Sequence, residues 1–354
     1  MFAPAAPAIL KANAAWRSNL TQPDMRFYSG PVSDHFDGEH FYNPRDPASQ
    51  GGMHGTGAVL KWLLTRRPAS WRKWIDAPPG ATPPERVDEG KIRATFVGHS
   101  SVLIQLEGLN ILCDPIWSNR ASPLSWIGPP RHRAPGLHFD QLPTIDLVLQ
   151  SHDHYDHFDL PTLRRIGAQW QPAFAVPLGV RARLTAEGKG VARDSQIQEM
   201  DWWQSADAFD KIRVTAVPAR HFSGRGLRDR NKTLWCGYVI ESACGTVYFA
   251  GDTAYGSHFA AIRERFPEIR LAFLPIGAYR PQWFMGPVHV SPPDAVRAHQ
   301  EVGAATSIAI HFGTFRLADD GEQEPVKELQ RALDREKAAH RFWVLDAGEG
   351  RDIP

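Results

Sequence analysis

The chain has 354 residues, 42% of them hydrophobic and 22% charged, which is enough to bury a full core in one large domain or two small ones. A formal net charge of +1 gives no overall field that would attract nucleic acid. The sequence has no run of about 18 apolar residues, and its first residues lack a basic start followed by an apolar stretch. We therefore expect a cytoplasmic protein without a membrane span.

Residues 1–90 differ in composition from the rest and predict an extended N-terminal arm that packs on a catalytic domain at 91–354. Pro and Gly are frequent in the arm, and one short helix is predicted at roughly 57–67. Cations and tryptophans are mixed in KWLLTRRPASWRKWID, residues 61–76. This mixture is typical either of a contact with a membrane surface or of indole rings that pack the arm on the core.

From residue 91 the pattern alternates between strands and helices, as in a layered α/β (α+β) fold. The predicted strands are two or three within RATFVGHSSVLIQLEGLNILCDP, then TIDLVLQ, PAFAVPLG, IRVTAVPARH, a hairpin in LWCGYVIESACGTVYFAGD, LAFLPIGA, TSIAIHFGTF and RFWVLDAGE. The predicted helices are LPTLRRIG, SHFAAIRERF, SPPDAVRAHQEVG and EPVKELQRALDREK. Ser291 followed by Pro292 is a strong helix start, since Ser is a preferred N-cap and Pro fits the first turn.

Four of the predicted strands end on side chains that can bind a metal ion. One strand runs into a His-rich stretch at 150–159, and the other three end at His221, Asp252 and His311. Strands that end along one edge of a sheet present their ends together, so ligands far apart in sequence can converge there. The sequence therefore predicts a metal site at one edge of the sheets.

The His-rich stretch is QSHDHYDHFD. His152 and His154 are two residues apart in extended chain, so both point to the same side and can bind one cation. Asp156 and His157 follow the bend and can reach a second position. Taken alone, the stretch would also fit a solvated turn before a helix. The candidate ligands at the other strand ends favour the metal site, whose nitrogen and oxygen donors suit zinc, and manganese or iron less strongly.

SHDHYDH resembles the His-x-His-x-Asp-His motif of the metallo-β-lactamase superfamily. From about residue 93 to near the C-terminus the chain is also similar to the N-acylphosphatidylethanolamine-hydrolysing phospholipase D family. The similar stretches are FVGHSSVLIQLEG, DPIWSNRASPLSWIGPPRHR, EMDWWQ, AGDTAYG, PIGAYRPQWFM, HVSPPDAVRAH and IAIHFGTF, and SDHFDG followed by FYNP resembles bacterial members. The resemblance implies an αββα sandwich, with two mixed sheets between helix layers and the metals at one edge.

The resemblance also implies a binuclear site with two zinc ions. The first ion would be bound by His152, His154 and His221. The second ion would be bound by Asp156, His157 and His311, and Asp252 would bridge the two ions. The strand ends predict the ligands themselves, whereas their division between two ions comes from the resemblance alone.

Three residues have expected roles beyond ligation. Asp156 would orient the nucleophile or accept its proton, and Asp114 resembles a carboxylate that holds a ligand histidine through its other ring nitrogen. His289 would contact phosphate or act as an acid at the mouth of the site. Asp114 fits a simple turn about as well, and His289 also fits a helix cap. His99 and Tyr155 stay open between a role in the cleft and a role in packing.

The predicted function is metal-dependent hydrolysis of a phosphodiester, most simply a phospholipase D-type reaction on N-acyl-phosphatidylethanolamine or a similar phospholipid. A water that bridges two metal ions has a pKa lowered from about 15.7 toward neutrality, and the resulting hydroxide would attack phosphorus. The alternatives are hydrolysis of a lactone, thioester or β-lactam at the same site, because the fold does not choose the bond, and a metal-binding regulator without turnover.

The expected partners are a phospholipid or another phosphodiester, with peripheral association to a membrane surface as one option and a homodimer left open. We expect no nucleic-acid partner, because the sequence has no long basic stripe. RHFSGRGLRDRNK, residues 220–232, is a basic loop that would either receive an anionic headgroup near His221 or be solvated.

Overall fold

The computed structural model describes residues 27–49, 55–186, 188, 190–226, 228–336 and 341–354. In these parts of the chain the strands form two seven-stranded sheets. Both sheets are mixed, with antiparallel pairing on one side and parallel pairing on the other.

The first sheet has the order β14-β1-β2-β3-β4-β5-β6. Its strands are β1 (Ile92–Gly98), β2 (Ser101–Leu106), β3 (Leu109–Cys113), β4 (Leu147–Leu149), β5 (Ala173–Pro177), β6 (Ile197–Met200) and β14 (Gly350–Asp352). The second sheet has the order β13-β12-β11-β10-β9-β8-β7. Its strands are β7 (Ser205–Ala208), β8 (Ile212–Val217), β9 (Gly237–Ser242), β10 (Gly245–Phe249), β11 (Ile269–Pro275), β12 (Ala304–Ile310) and β13 (Phe342–Trp343).

The α-helices in the described parts of the chain are α1 (Thr56–Thr65), α2 (Leu160–Trp170), α3 (Val180–Ala186), α4 (His258–Arg265), α5 (Gln282–Met285), α6 (Pro292–Val302) and α7 (Glu324–Glu336). Five of them, α2, α3, α4, α6 and α7, cover the outer faces of the sheets. The largest buried cluster lies between the two sheets and joins residues such as Ile104 and Ile111 to Val214 and Phe273. Separate clusters pack α2 and α3 on the first sheet and α4, α6 and α7 on the second. The layers therefore follow the order α, β, β, α, as predicted.

Most predicted elements are present. Ser291 accepts a hydrogen bond from the backbone N–H of Asp294, so it is the N-cap of α6, as the sequence predicts. The helix expected at 57–67 spans Thr56–Thr65. The prediction missed β6, β7 and β14, and it missed α3 and α5. None of the described helices has the length and apolar character needed to cross a lipid bilayer.

The described part of the N-terminal segment contacts the body at several points. Phe36 and Phe41 are almost fully buried in a cluster that includes Trp235. The Trp62 indole donates to Asp319 at 3.2 Å, and the Trp71 indole donates to the carbonyl of Asp320 at 2.9 Å. Two of the three tryptophans in 61–76 are thus held by the body, whereas Trp74 is 47% exposed.

Candidate metal centre

The loops that follow four strands meet at one edge of the sandwich. The turn after β4 carries the His-rich stretch, and the segments after β8, β10 and β12 carry His221, Asp252 and His311. Three imidazole nitrogens approach one another closely, because His154 Nδ1 lies 2.9 Å from His152 Nε2 and 3.1 Å from His221 Nε2. The structure therefore brings together the three histidines expected around a first ion.

A second group lies beside the first. The Nε2 atoms of His157 and His311 are both 3.3 Å from Asp156 Oδ2. Asp252 Oδ2 is 3.2 Å from His157 Nε2, 3.1 Å from His311 Nε2 and 3.7 Å from His221 Nε2. Asp252 thus stands between the two groups, which is where a bridging carboxylate would lie.

In His157 and His221, the ring nitrogen that points away from the candidate centre makes a hydrogen bond to another group. The Nδ1 atom of His157 donates to Asp114 Oδ2 at 2.7 Å, and Nδ1 of His221 donates to the carbonyl of Val288 at 2.9 Å. Asp114 also accepts from the backbone and hydroxyl of Ser151, at 2.7 and 2.6 Å. With Nδ1 engaged in this way, each Nε2 faces inward, which is the arrangement of a metal-binding histidine.

Burial keeps the first group neutral. It lowers the pKa of His221 to about 3 and that of His154 to about 4, and it holds the pKa of His152 well below its usual range. Neutral imidazole is the form that binds metal. A cation between these three nitrogens would be bound by all of them at once.

The second group is rich in negative charge. Burial raises the pKa of Asp156 and Asp252, but the neighbouring His157 and other imidazoles outweigh it, and both carboxyl pKa values lie well below the usual range. Burial alone would lower the pKa of His311, but Asp252 and Asp156 raise it to about 9. The carboxylates thus favour positive charge at this position, and a divalent cation would supply it.

Unpaired buried atoms provide a direct test of whether these residues fit a metal. Among the described residues, His157 Nε2 and Asp252 Oδ1 are buried and make no hydrogen bond, although both belong to groups that are otherwise fully engaged. Buried polar atoms are normally paired. Nitrogen and carboxylate donors in this set match the preference of zinc, so the residues present fit a metal centre.

Three residues in or beside the centre have strained backbone conformations. The φ angles of His99, Asp114 and His311 are +57°, +40° and +59°. Non-glycine residues avoid this left-handed region at a cost of roughly 1 kcal/mol or more each, and they keep it only where surrounding contacts enforce it. One such contact is the backbone hydrogen bond of 2.7 Å from His311 N–H to the carbonyl of His99.

His99 belongs to the second group, although the sequence left its role open. It is buried, and its Nε2 donates to Asp156 Oδ2 at 2.8 Å. The only feature in the sequence that could have indicated this is its position in the turn between two strands. His289 lies beside the centre, with Nδ1 3.9 Å from Asp252 Oδ2 and its ring 5.0 Å from the ring of His221.

A cavity of about 410 Å³ opens onto the centre. Its base includes His154, Asp156, Asp252, His289 and His311, and its walls are mainly apolar. The apolar lining comes from α1, α5 and neighbouring loops, and it includes Val59, Trp62, Phe284, Met285 and Leu317 together with Ala121, Tyr155 and Phe222. The cavity therefore joins a polar base to apolar walls.

The cationic side chains of the basic loop at 220–232 make different kinds of contact. Arg225 donates to the carbonyls of Asp153 and Phe158 at 2.8 Å, and it covers the ring of Tyr155 at 3.8 Å. Lys232 pairs with Glu39 at 2.6 Å. Arg230 is exposed and lines the cavity. Part of the loop is thus structural, and one of its cations faces the cavity.

Comparison with known proteins agrees with this geometry. Residues 109–312 match the model of the beta-lactamase superfamily domain. This chain belongs to the metallo-β-lactamase superfamily of hydrolases. It is 34% identical to N-acyl-phosphatidylethanolamine-hydrolyzing phospholipase D 1 of Caenorhabditis elegans over 88% of this chain and 92% of that enzyme. It is also 38% identical to an uncharacterised protein of Mycobacterium tuberculosis, over 93% of this chain and 85% of that protein.

Solved structures share the metallo-β-lactamase fold at low sequence identity. The isothiocyanate hydrolase from Delia radicum gut bacteria is 18% identical and has a TM-score of 0.57, with 74% of this chain and 99% of that one aligned. Igni18, a metallo hydrolase from Ignicoccus hospitalis, is 22% identical with a TM-score of 0.53 over 75% and 99%. These matches identify the fold, and they carry no information about the bond that is cleaved.

Proposed function

We propose that this protein is a phospholipase D-type phosphodiesterase that uses two metal ions, most simply zinc, at the candidate centre. The proposed ligands are those expected from the sequence: His152, His154 and His221 for one ion, Asp156, His157 and His311 for the other, and Asp252 between them. The observation that carries the proposal is the apolar cavity that ends on this centre. Similarity to the C. elegans enzyme over most of both chains supports the same substrate class.

The cavity suits an amphiphilic diester. Its apolar walls would hold acyl chains, and its base would hold the phosphate against the metal ions. When bound, the two ions would supply a water of lowered pKa as nucleophile and offset the charge that develops on the phosphate. The aliphatic and aromatic side chains of these walls are more than a small polar lactone requires.

The chain's own groups would position the reactants. Asp156, held by His99 at 2.8 Å, would orient the nucleophile or accept its proton. His289 borders the cavity next to Asp252, and it would contact the phosphate or the leaving oxygen. Asp114 has no part in the cavity lining, and it would act by holding His157.

Parallel assays on three substrates would test the proposal, after the metal content has been measured. The substrates are a bis(4-nitrophenyl) phosphodiester, an N-acyl-phosphatidylethanolamine and a homoserine lactone. We expect turnover of both phosphodiesters, with the higher kcat/KM for the lipid because only the lipid fills the apolar walls. Turnover of the lactone without either phosphodiester would overturn the proposal.

The helix α1 supports a further part of the proposal, namely that the cavity opens toward a lipid surface. Leu60, Leu63 and Leu64 are 58%, 53% and 77% exposed, while Val59 and Trp62 of the same helix line the cavity. Lys61 and Arg67 beside them are exposed cations that would favour anionic headgroups. We propose that this face of α1 contacts the membrane from which the substrate is taken.

Replacing Leu60 and Leu64 by serine tests this contact. These residues are four apart on one helix face. Each substitution removes roughly 1 kcal/mol of the free energy gained when the leucine side chain is buried in the lipid. Turnover of a substrate presented in vesicles is therefore expected to fall about tenfold or more. Turnover of the soluble diester should stay within twofold. Val32→Ser, at a 68% exposed apolar position outside α1, is the matched control. An equal loss on both substrates would contradict a membrane role.

A further inference from the structure

The N-terminal segment 36–49 reaches the metal centre from outside the superfamily domain. Phe36 and Phe41 anchor it, since both are buried against Trp235 and its neighbours. The backbone N–H of Phe41 donates to the carbonyl of Asn231 at 2.8 Å. Beyond this anchor the chain passes directly behind the proposed ligand His221.

Asn43 connects this segment to His221. Its Nδ2 donates to the main-chain carbonyl of His221 at 2.8 Å, and its Oδ1 accepts from Trp235 Nε1 at 3.2 Å. An indole N–H can only donate, so the carboxamide oxygen must face Trp235 and the amide nitrogen must face His221. The same indole N–H also donates to the carbonyl of Ala219 at 3.0 Å, which holds the strand end that leads to His221.

The neighbouring residue Arg220 makes a second connection. Its guanidinium donates to the carbonyl of Pro44 at 3.0 Å and to Ser49 Oγ at 3.2 Å, and it lies 3.7 Å from Asp46 Oδ2. Asp46 Oδ2 in turn accepts from the backbone N–H of Ser257 at 2.8 Å. One short segment therefore holds both the loop of His221 and the loop that follows Asp252.

The close approach at Gly256 shows how tightly these parts fit. A Cβ atom at this position would lie 2.4 Å from Arg220 Cδ and 2.6 Å from Asp46 Oδ2. A side chain at this position would therefore force Arg220 or Asp46 to move. Two more hydrogen bonds complete the link. The backbone N–H of Arg220 donates to the Thr253 hydroxyl at 2.9 Å, and the backbone N–H of Ala254 donates to the carbonyl of Arg220 at 2.8 Å.

We infer that the segment 43–49 is a positioning element of the metal centre, with Asn43 as the positioning residue for His221. The inference rests on the proposed metal site. Asn43 fixes the main chain of His221, and the Val288 carbonyl fixes its ring through Nδ1. Together they aim Nε2 at His154 and Asp252. Groups that orient a ligand in this way typically contribute about 10- to 100-fold to metal affinity.

Asn43→Asp is the sharpest test, because it keeps the shape and the acceptor for Trp235 but has no donor for the His221 carbonyl. Zn²⁺ alone would be titrated into the full-length protein, from which metal has been removed with a chelator, in competition with a chromophoric chelator. We expect the affinity of one of the two sites to fall about tenfold or more, with kcat reduced and KM within twofold. Tyr42→Phe is the matched control, since its hydroxyl bonds to the Ser33 carbonyl, and its affinity should equal that of the wild type.

Asp46→Asn is the second test, to be used if Asn43→Asp fails to fold. It keeps an acceptor for Ser257 and removes the charge that faces Arg220. We expect this variant also to lose Zn²⁺ affinity at one site, by a smaller factor. Wild-type affinity at both sites in either folded variant would overturn the inference. A wild-type protein that binds no Zn²⁺ would instead overturn the proposed metal centre, so the two failures can be told apart.

Discussion

Replacing Asp252 by alanine is expected to lower kcat/KM on a phosphodiester by at least about 10³-fold and to reduce the metal content from two ions toward one. The reason is position, since Asp252 Oδ2 lies within 3.1–3.7 Å of the Nε2 atoms of His157, His311 and His221. One carboxylate thus faces both groups of candidate ligands. The measurement is metal analysis by mass spectrometry together with steady-state kinetics on the soluble diester.

Asp207→Ala is the control for the Asp252 variant. This exposed carboxylate on β7 pairs with Arg213 at 2.8 Å. Its loss should leave both the metal content and kcat/KM unchanged, because a surface ion pair contributes little. An Asp252→Ala protein with two bound zinc ions and wild-type activity would refute the assignment of the centre.

Removing the metals with a chelator is expected to abolish turnover and to lower the thermal midpoint by several degrees. Ligand linkage contributes about 2.7 kcal/mol for each ion present at 100 times its dissociation constant. In the metal-free protein, His154 Nδ1 would lie 2.9 Å from His152 Nε2 and 3.1 Å from His221 Nε2 without a cation between them. The carboxylates of Asp156 and Asp252 would likewise lose a compensating charge.

Differential scanning calorimetry and activity assays, before and after addition of Zn²⁺ or Mn²⁺, would measure these effects. We expect both the midpoint and the turnover to return with two equivalents of metal. Full turnover in protein from which no metal can be detected would contradict metal-dependent hydrolysis. Restoration by Mn²⁺ but not by Zn²⁺ would retain the centre and correct the identity of the metal.

The sequence was most informative where local pattern and tertiary role coincide. β2 and β12 are apolar runs, and α6 carries its own start at Ser291, so these elements could be predicted from neighbouring residues alone. β6 and β14 could not, because they are short edge strands without an alternating pattern. Their pairing is specified by partners far away in sequence, as between β14 and β1.

The candidate site follows the same division. The His-x-His-x-Asp-His stretch and the three other strand ends indicate metal ligands, because imidazole and carboxylate groups come together where strands end along the same edge of a layered sheet. The role of His99 could not be predicted, since its hydrogen bond to Asp156 spans 57 positions in the chain. The same holds for Asn43, which meets His221 across 178 positions.

By itself, the sequence determined the layered α/β class and the residue types of a candidate metal centre, because strand periodicity and ligand chemistry are local properties. Only the tertiary structure decided how these ligands group, with three histidines together and Asp252 between the two sets. It also decided that α1 borders an apolar cavity and that the segment 43–49 lies behind His221. These arrangements depend on long-range packing of loops, and loop packing leaves no periodic pattern in the chain.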